Sequence, residues 1–334
     1  MDFSKLPKLT FWRAVLVLIL AAGFYSTILR ITKGLGAATA LSDQFPWGIW
    51  IGFDVLCGVG LAAGGFTLAA VVYVFHLERF HPIVRPTILT AFLGYGLVAV
   101  GLLFDLGRPY RIWHPLVMWN PRSVMFEVAW CVMLYLTVLA LEFSPAVLER
   151  FGWHKPLKII KAITIPLVIA GVLLSTLHQS SLGSLYLIVP SKLHPYWYSP
   201  WLPVFFYVSA IAVGLAMVIF ESNLSARAFG REIEMPLLSE LGKAMLVVVA
   251  FYGLIRFQDL SGRGALQHLR EPSTETLLFG LEIVLGLAVP LVMLAFPQVR
   301  KSREGLFAAA VMVITGFLLN RLNVSITGLE AASG

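Results

Sequence analysis

The sequence predicts an all-α integral membrane protein, with about nine transmembrane helices in a single membrane domain. Hydrophobic residues make up 58% of the 334 positions and charged residues only 13%, about half the charged share of a soluble domain. The apolar residues also fall into long runs almost free of charge, most close to the roughly 20 residues that cross a bilayer. The connections between runs are short, so no separate soluble domain fits between them. The formal charge of +7 is therefore no sign of nucleic acid, because basic residues in such a chain gather at helix ends and set orientation.

Nine segments follow in order: 11–29, 48–75, 84–104, 123–142, 160–178, 201–220, 243–257, 275–296 and 306–320. The first is too long for a signal-peptide core and lacks a small-residue cleavage pattern, so it reads as a retained peripheral helix. The second carries Gly58, Gly60, Gly64 and Gly65 in CGVGLAAGG. These thin one face, either for close helix packing or to make room for a flat ligand.

The second to fifth segments carry YVFHLER at an end, LLFDLGR at an exit, SVMFEVAW at an opening and LHQSSLGSL at an end. The sixth to ninth answer in the same order with MVIFESN, RFQDLSGR, TLLFGLEIV and LNRLNVSITGL. This repeat predicts two parallel four-helix units, residues 46–186 and 200–329, as in some transporters.

Orientation follows from the basic residues. Fifteen of the 25 Lys and Arg lie at the N-terminus and in the loops around 76–85, 143–161, 221–243 and 297–305. That places the N-terminus in the cytoplasm and, with nine spans, the C-terminus outside. The outer loops 105–122 and 179–200 are long and hold Trp113, Trp119, Tyr196, Trp197 and Tyr198, with Trp201 next to them. Such aromatics form interfacial belts; one reading is a belt alone, the other a belt that also supplies a docking surface for a partner.

Charges within hydrocarbon are costly and usually face a cavity, a partner or a pathway. Asp54 lies ~10 Å in from the outer surface, counted from Trp47, and Glu127 lies ~6 Å in. Asp105 and Arg108 close the third segment, and His178 closes the fifth. Each helix of the first unit thus offers an ionisable group in its outer half. One reading is plain salt bridging, Arg108 with Asp54 or Asp105 and His178 with Glu127. The other is a site, since a neutral histidine and carboxylates hand protons to a carbonyl that becomes a hydroxyl. Tyr95 lies ten residues below Asp105, near mid-membrane. At the inner ends stand His76, Glu78, Glu142 and Glu221, with Glu142 and Glu221 as candidate proton entrances. Glu282, the repeat partner of Glu127, lies deep and keeps at most a relic role.

Resident metals find little support. Cys57 and Cys131 are the only cysteines, too few for an Fe–S cluster or structural zinc. A bis-histidine haem needs two histidines at one depth on facing helices. Of the seven, only His76 and His178 lie near a helix, on opposite sides.

DQFPWGIWIGFDVLCGVGLAAGGF at 43–66, HPIVRPTILTAFLGYGL at 81–97, NPRSVMFEVAWCVMLY at 120–135, LEFSPAVLERFGW at 141–153 and LHQSSLGSLY at 177–186 resemble the NrfD/polysulfide-reductase membrane subunits. They are most similar to the HybB-type subunit of membrane-bound nickel–iron hydrogenases. The resemblance implies a multi-pass subunit of the inner membrane, without haem or Fe–S of its own, that exchanges electrons with menaquinone or ubiquinone. It implies a ferredoxin-like Fe–S subunit and a nickel–iron hydrogenase-type catalytic subunit on the outer face. Motif by motif, it places the quinone and proton residues on Tyr95, Glu127, His178 and Glu221, and Asp54 and Arg108 also match family positions. Together with Asp105 and Glu142 from the reading of the residues, the expected sets are quinone binding on Asp54, Glu127, His178 and Arg108, and proton transfer on Tyr95, Asp105, Glu142 and Glu221. Family chains usually continue into a tenth helix, whereas this sequence stops at GLEAASG. The rival class is a secondary transporter or proton channel, which a parallel repeat with intramembrane carboxylates also fits.

Overall fold

The computed structural model describes residues 10–41, 49 and 51–330. The outer motif DQFPWG at 43–48, with Trp47, lies outside the described residues, as do Lys5, Lys8 and the last four positions. Among the described residues there is no strand, and nine helices are long and apolar enough to cross a membrane. They are α1 Phe11–Lys33, α2 Ile51–Val74, α3 Glu78–Asp105, α4 Val124–Phe151, α5 Thr164–Ile188, α6 Leu202–Phe229, α7 Met235–Gly262, α8 Thr274–Ala295 and α9 Arg303–Glu330.

Each matches one apolar segment of the sequence, but most are longer. The α4 helix continues past Pro145, which cannot donate to the Leu141 carbonyl. The Ser144 hydroxyl donates to that carbonyl instead, at 2.7 Å. Gly152, at φ +69°, then ends the helix in the left-handed conformation that costs a glycine least. An amphipathic helix, His154–Ala162, lies between α4 and α5 where the sequence suggested the start of the fifth span. Ser123, Ser273 and Ser302 cap the N-termini of α4, α8 and α9 by accepting a backbone N–H from three residues on.

The bundle centres on α2 and α6, whose apolar windows are 78% and 72% buried, whereas that of α1 is only 6% buried. The α1 helix is tied down by Arg30, which donates to the carbonyls of Phe104 and Leu106 at the end of α3, at 2.8 and 2.5 Å. Those carbonyls belong to the helix C-terminus, where no intrahelical donor remains.

The glycines of α2 serve packing rather than a flat ligand. A Cβ at Gly58 would lie 2.8 Å from Val98, one at Gly65 2.6 Å from the Ala91 Cβ, and one at Gly60 would run into the Phe317 ring. At the α2–α6 crossing, a Cβ on Gly214 would lie 2.9 Å from the α2 backbone, so glycine is what permits the close approach.

Candidate functional site

At the end of α2–α5 that the basic residues of the sequence assign to the outside, and which is termed outer on that ground alone, lies an apolar cavity of about 310 Å³. Val55 of α2, Leu102 of α3, Val128 and Val132 of α4, and Leu182, Leu185 and Tyr186 of α5 line it, with Arg108 and Arg111 at its rim. Of the sequence-predicted binding residues, Arg108 is the one in its wall. Asp54 turns towards α3, where Gly101 makes room: a Cβ there would lie 2.5 Å from the Asp54 carboxylate. Glu127 is half-buried beside the wall residue Val128. Asp105 keeps one carboxylate oxygen without a hydrogen-bond partner. Among the described residues no ion pair joins Arg108 to Asp54 or Asp105, or His178 to Glu127, so the salt-bridge reading does not hold.

His178 does not close its helix. The α5 helix continues through Ser184 and a tighter last turn to Ile188, so His178 lies about 15 Å inside the span. Its side chain is fully buried, and its Nδ1 is 3.3 Å from the Tyr95 hydroxyl. Helical spacing sets this group against the cavity. Leu182 of the wall lies one turn above His178, Val132 one turn above Tyr135, and Leu102 two turns above Tyr95. The Tyr95 ring meets that of Tyr135 edge-on at 4.7 Å and that of His178 at 5.8 Å. Ser175 sits one turn further down α5, close to both phenols. His178 Nε2, Gln179 Oε1, Ser175 Oγ and the Tyr135 hydroxyl are all buried without a hydrogen-bond partner. Gln179 donates its Nε2 to the Val59 carbonyl, which ties α5 to α2.

The file continues inward. A Cβ at Gly171 would lie 3.6 Å from a Glu142 carboxylate oxygen and 3.7 Å from the Tyr135 ring, so both side chains approach the bare face of α5 there. Glu142 in turn lines a second cavity, of about 410 Å³, near the inner ends of α3, α4 and α5. Glu221 stands apart on α6, in a narrow crevice with Thr87, Thr90, Gly64 and Gly65. Of the two candidate entrances, Glu142 is therefore the one beside open space.

The second half, α6–α9, holds a polar network of a different kind. Glu282 accepts from Trp197 Nε1 at 2.8 Å, Asn320 at 2.8 Å and Asn323 at 2.9 Å, and pairs with Arg256 at 3.5 Å. Arg321, with no exposed surface, donates to Asn320, the Phe206 carbonyl and Ser209, and lies 3.6 Å over the Phe206 ring. Phe206 meets the Tyr186 ring at 6.2 Å, so this network backs the wall of the outer cavity. Glu282 is thus the centre of a buried cluster.

The sequence reading did not single out Arg256, Arg321, Tyr135 or Ser175. For the two arginines a signal existed, since each interrupts an apolar run. Tyr196 and Trp197 also differ from expectation. Both are fully buried, Tyr196 stacked on Phe279 at 4.4 Å and Trp197 on Glu282. Trp113, Trp119 and Trp201 remain on the surface.

Outside the spans, burial pushes the His194 imidazole below its ordinary value, with Glu275 pulling the other way.

Fold and site define a multi-pass helical membrane protein with an apolar cavity near one face and a file of titratable groups behind it. The chain belongs to the NrfD family: the family pattern described as polysulphide reductase, NrfD, matches residues 37–331. A protein of Nitratidesulfovibrio vulgaris is 46% identical over 94% of this chain and 82% of its own length. The probable Ni/Fe-hydrogenase 2 b-type cytochrome subunit of Escherichia coli K12 is 36% identical, over 91% of this chain and 79% of its own length. The integral membrane subunit of a menaquinone reductase from Nitratidesulfovibrio vulgaris is 27% identical, over 97% and 82%.

The b-type cytochrome in one relative's name raises the question of haem. His178 is the buried histidine of the spans, and its Nδ1 is on Tyr95. The other six lie at or beyond the ends of the spans. Among the described residues no group of three or more His, Cys, Asp or Glu could hold a metal. The histidines present do not fit a bis-histidine haem.

Proposed function

We propose that this chain is the quinone-reactive membrane subunit of a hydrogenase-type respiratory complex. It exchanges electrons between an extracytoplasmic ferredoxin-like Fe–S subunit and the quinone pool of the inner membrane. The observation that carries this is the outer cavity with a file of buried, unpartnered polar atoms beneath it. A quinone takes up two electrons and two protons. The residues here divide that work: Arg108 at the rim for a carbonyl oxygen, apolar walls for the ring and tail, and Tyr95 and His178 one to two turns below to deliver protons. Asp54 and Glu127 flank the same level. Tyr135, Ser175 and Glu142 extend the file inward, so protons come from the cytoplasmic side, with the N-terminus on that side. Asp105 and Glu221 lie off this file, at the outer rim and on α6. The names of the hydrogenase and menaquinone-reductase relatives support the reading.

The two parallel four-helix units, 46–186 and 200–329, belong to the same proposal. Asp105 and Glu127 stand at the same ends of α3 and α4 as Asp259 and Glu282 do of α7 and α8, which supports it. A transporter would leave the outer cavity unrelated to any partner.

The test is purification of the tagged chain from native membranes. An Fe–S subunit and a catalytic subunit should accompany it. In the assembled complex, His178→Ala should abolish quinone-linked turnover while activity with an artificial dye persists. Normal quinone reduction by that variant would remove His178 from the site, and purification as a lone chain that moves a solute would overturn the reading.

A further inference from the structure

The cavity of about 410 Å³ at the inner ends of α3, α4 and α5 is the larger of the two, and the proton file uses only its inner corner at Glu142. Its depth is apolar, with Val84 and Ile88 of α3, Phe143 of α4, and Ile165, Leu167 and Val168 of α5. Its rim is basic, with His81, Arg85 and Lys161.

The cations at the rim outnumber the acids. Arg85 and Lys161 share one carboxylate, Glu149, at 3.5 and 3.0 Å, and both are more than half exposed. Lys155 and Lys158, on the same amphipathic helix as Lys161, are exposed and have no ion-pair partner among the described residues. Just before that helix, Phe151 and Trp153 stand exposed with rings 5.9 Å apart, which marks the depth of the membrane interface. A basic rim over an apolar slot between spans, at headgroup depth, is the chemistry that holds an anionic phospholipid. A soluble anion would leave the apolar wall unmatched, and a quinone would leave the cations unmatched.

We propose that this cavity binds one anionic phospholipid of the adjoining leaflet. Its phosphate lies between Arg85 and Lys161, and an acyl chain runs along Val84, Ile88 and Val168. The amphipathic helix closes over the headgroup, with Lys155 and Lys158 towards the anionic surface. Glu142 lies two turns deeper on α4 than Glu149, at the far end of the slot from the phosphate. The site does not depend on the quinone reading, because lipid binding is measured without turnover.

The experiment uses the whole complex, purified in a mild detergent. Native mass spectrometry counts retained lipid, and melting is followed on adding phosphatidylglycerol, cardiolipin or phosphatidylcholine. The wild type should retain one anionic lipid per chain and be stabilised by phosphatidylglycerol or cardiolipin, but not by phosphatidylcholine. A double variant, Arg85→Gln with Lys161→Gln, should bind about 30-fold more weakly, as expected for the loss of two cations at an anionic headgroup. Val84→Trp, which fills the slot and leaves the charges, should lose the lipid as well. Arg79→Gln, a surface change at the same membrane face, should behave as wild type. Equal retention of phosphatidylcholine, unchanged binding by the double variant, or a water-filled cavity in a density map from phosphatidylglycerol nanodiscs would each overturn the assignment.

Discussion

In the first half of the bundle, α2–α5 bury His178, Gln179, Ser175 and Tyr135 with polar atoms left unpartnered, beside a cavity of about 310 Å³. In the second half, α6–α9 bury Glu282, Asn320 and Asn323 with Arg256 and Arg321, and the space beside them is about 40 Å³. Both oxygens of Glu282 are taken, by Asn320 and Arg256 on one and by Trp197 and Asn323 on the other. A buried polar group without a partner costs about 1–3 kcal/mol. Such groups persist near an open cavity where a ligand or water completes them, and here four of them follow one another within two turns below its wall. In the second half the carboxylate and amide groups of the cluster are bonded, and the atoms of the cluster left without a partner are Nε of Arg256 and Nε of Arg321, in guanidinium groups that bond through other nitrogens. Incomplete bonding near open space, rather than the presence of charge, is thus what distinguishes the half in which the site is proposed.

The largest test of this contrast is Glu282→Ala. It leaves Arg256 without its carboxylate and frees three donors, so it should destabilise the chain by about 3–5 kcal/mol. Yield of folded complex and melting temperature measure this. A stable complex that has lost quinone turnover would instead make the second half part of the site.

Next in size is Tyr95→Phe. It removes one hydroxyl whose partner, His178, lies at 3.3 Å, so stability should change by no more than about 1 kcal/mol. Proton delivery should fall by about 100-fold, a common loss when one acid–base group goes. The readout is membrane potential in sealed vesicles during quinone reduction. A potential that forms at the wild-type rate would mean that protons do not pass Tyr95.

Trp197→Phe sharpens the contrast from the other side. It deletes a hydrogen bond to a buried carboxylate, worth about 1.5–3 kcal/mol, and should lower the melting temperature while turnover per folded complex stays the same.

The helices were legible in the sequence because apolar run length is a direct physical requirement of the bilayer, and all nine spans fall where the runs do. The amphipathic helix His154–Ala162 was not, because its lysines read as an ordinary inner loop. Site legibility was uneven for a related reason. Asp54, Glu127 and Glu142 stand out as acids among apolar residues. Ser175 and Tyr135 do not, since a serine or tyrosine in an apolar run usually bonds within its own helix or packs. Arg256 and Arg321 were counted as outer-face charges, because near a helix end an arginine facing the bundle reads like one facing water. The depth of His178 was misjudged because the polar run HQSS looked like a helix end. Buried against α2 and α3, it continues the helix, which a one-dimensional hydropathy reading does not show.

The smallest expected effect concerns His194, in the loop that covers the second half. Its backbone N–H donates to the Gly328 carbonyl, its ring Nδ1 accepts from the Tyr196 backbone N–H, and the ring packs on Tyr196 and Trp197 at 4.8 and 5.6 Å. Burial holds the imidazole below its ordinary value of 6.5, so the folded chain binds fewer protons there than the unfolded chain. The sign follows: the stabilisation is complete above pH 6.5 and is lost as pH falls from there towards the depressed folded value. The ring is only partly covered, and solvent screens it, so the melting temperature should drop by about 1 °C between pH 7.5 and 5.5. His268, whose ring lies 5.8 Å away, and Glu275 and Glu271 share this corner. The measurement is therefore a difference: the pH slope of the wild type minus that of His194→Gln. If the second half is a closed structural unit, removing the titrating ring should flatten the slope and leave quinone turnover at each pH unchanged. A turnover profile that moves with His194→Gln would couple this outer corner to the first half and blur the division between them.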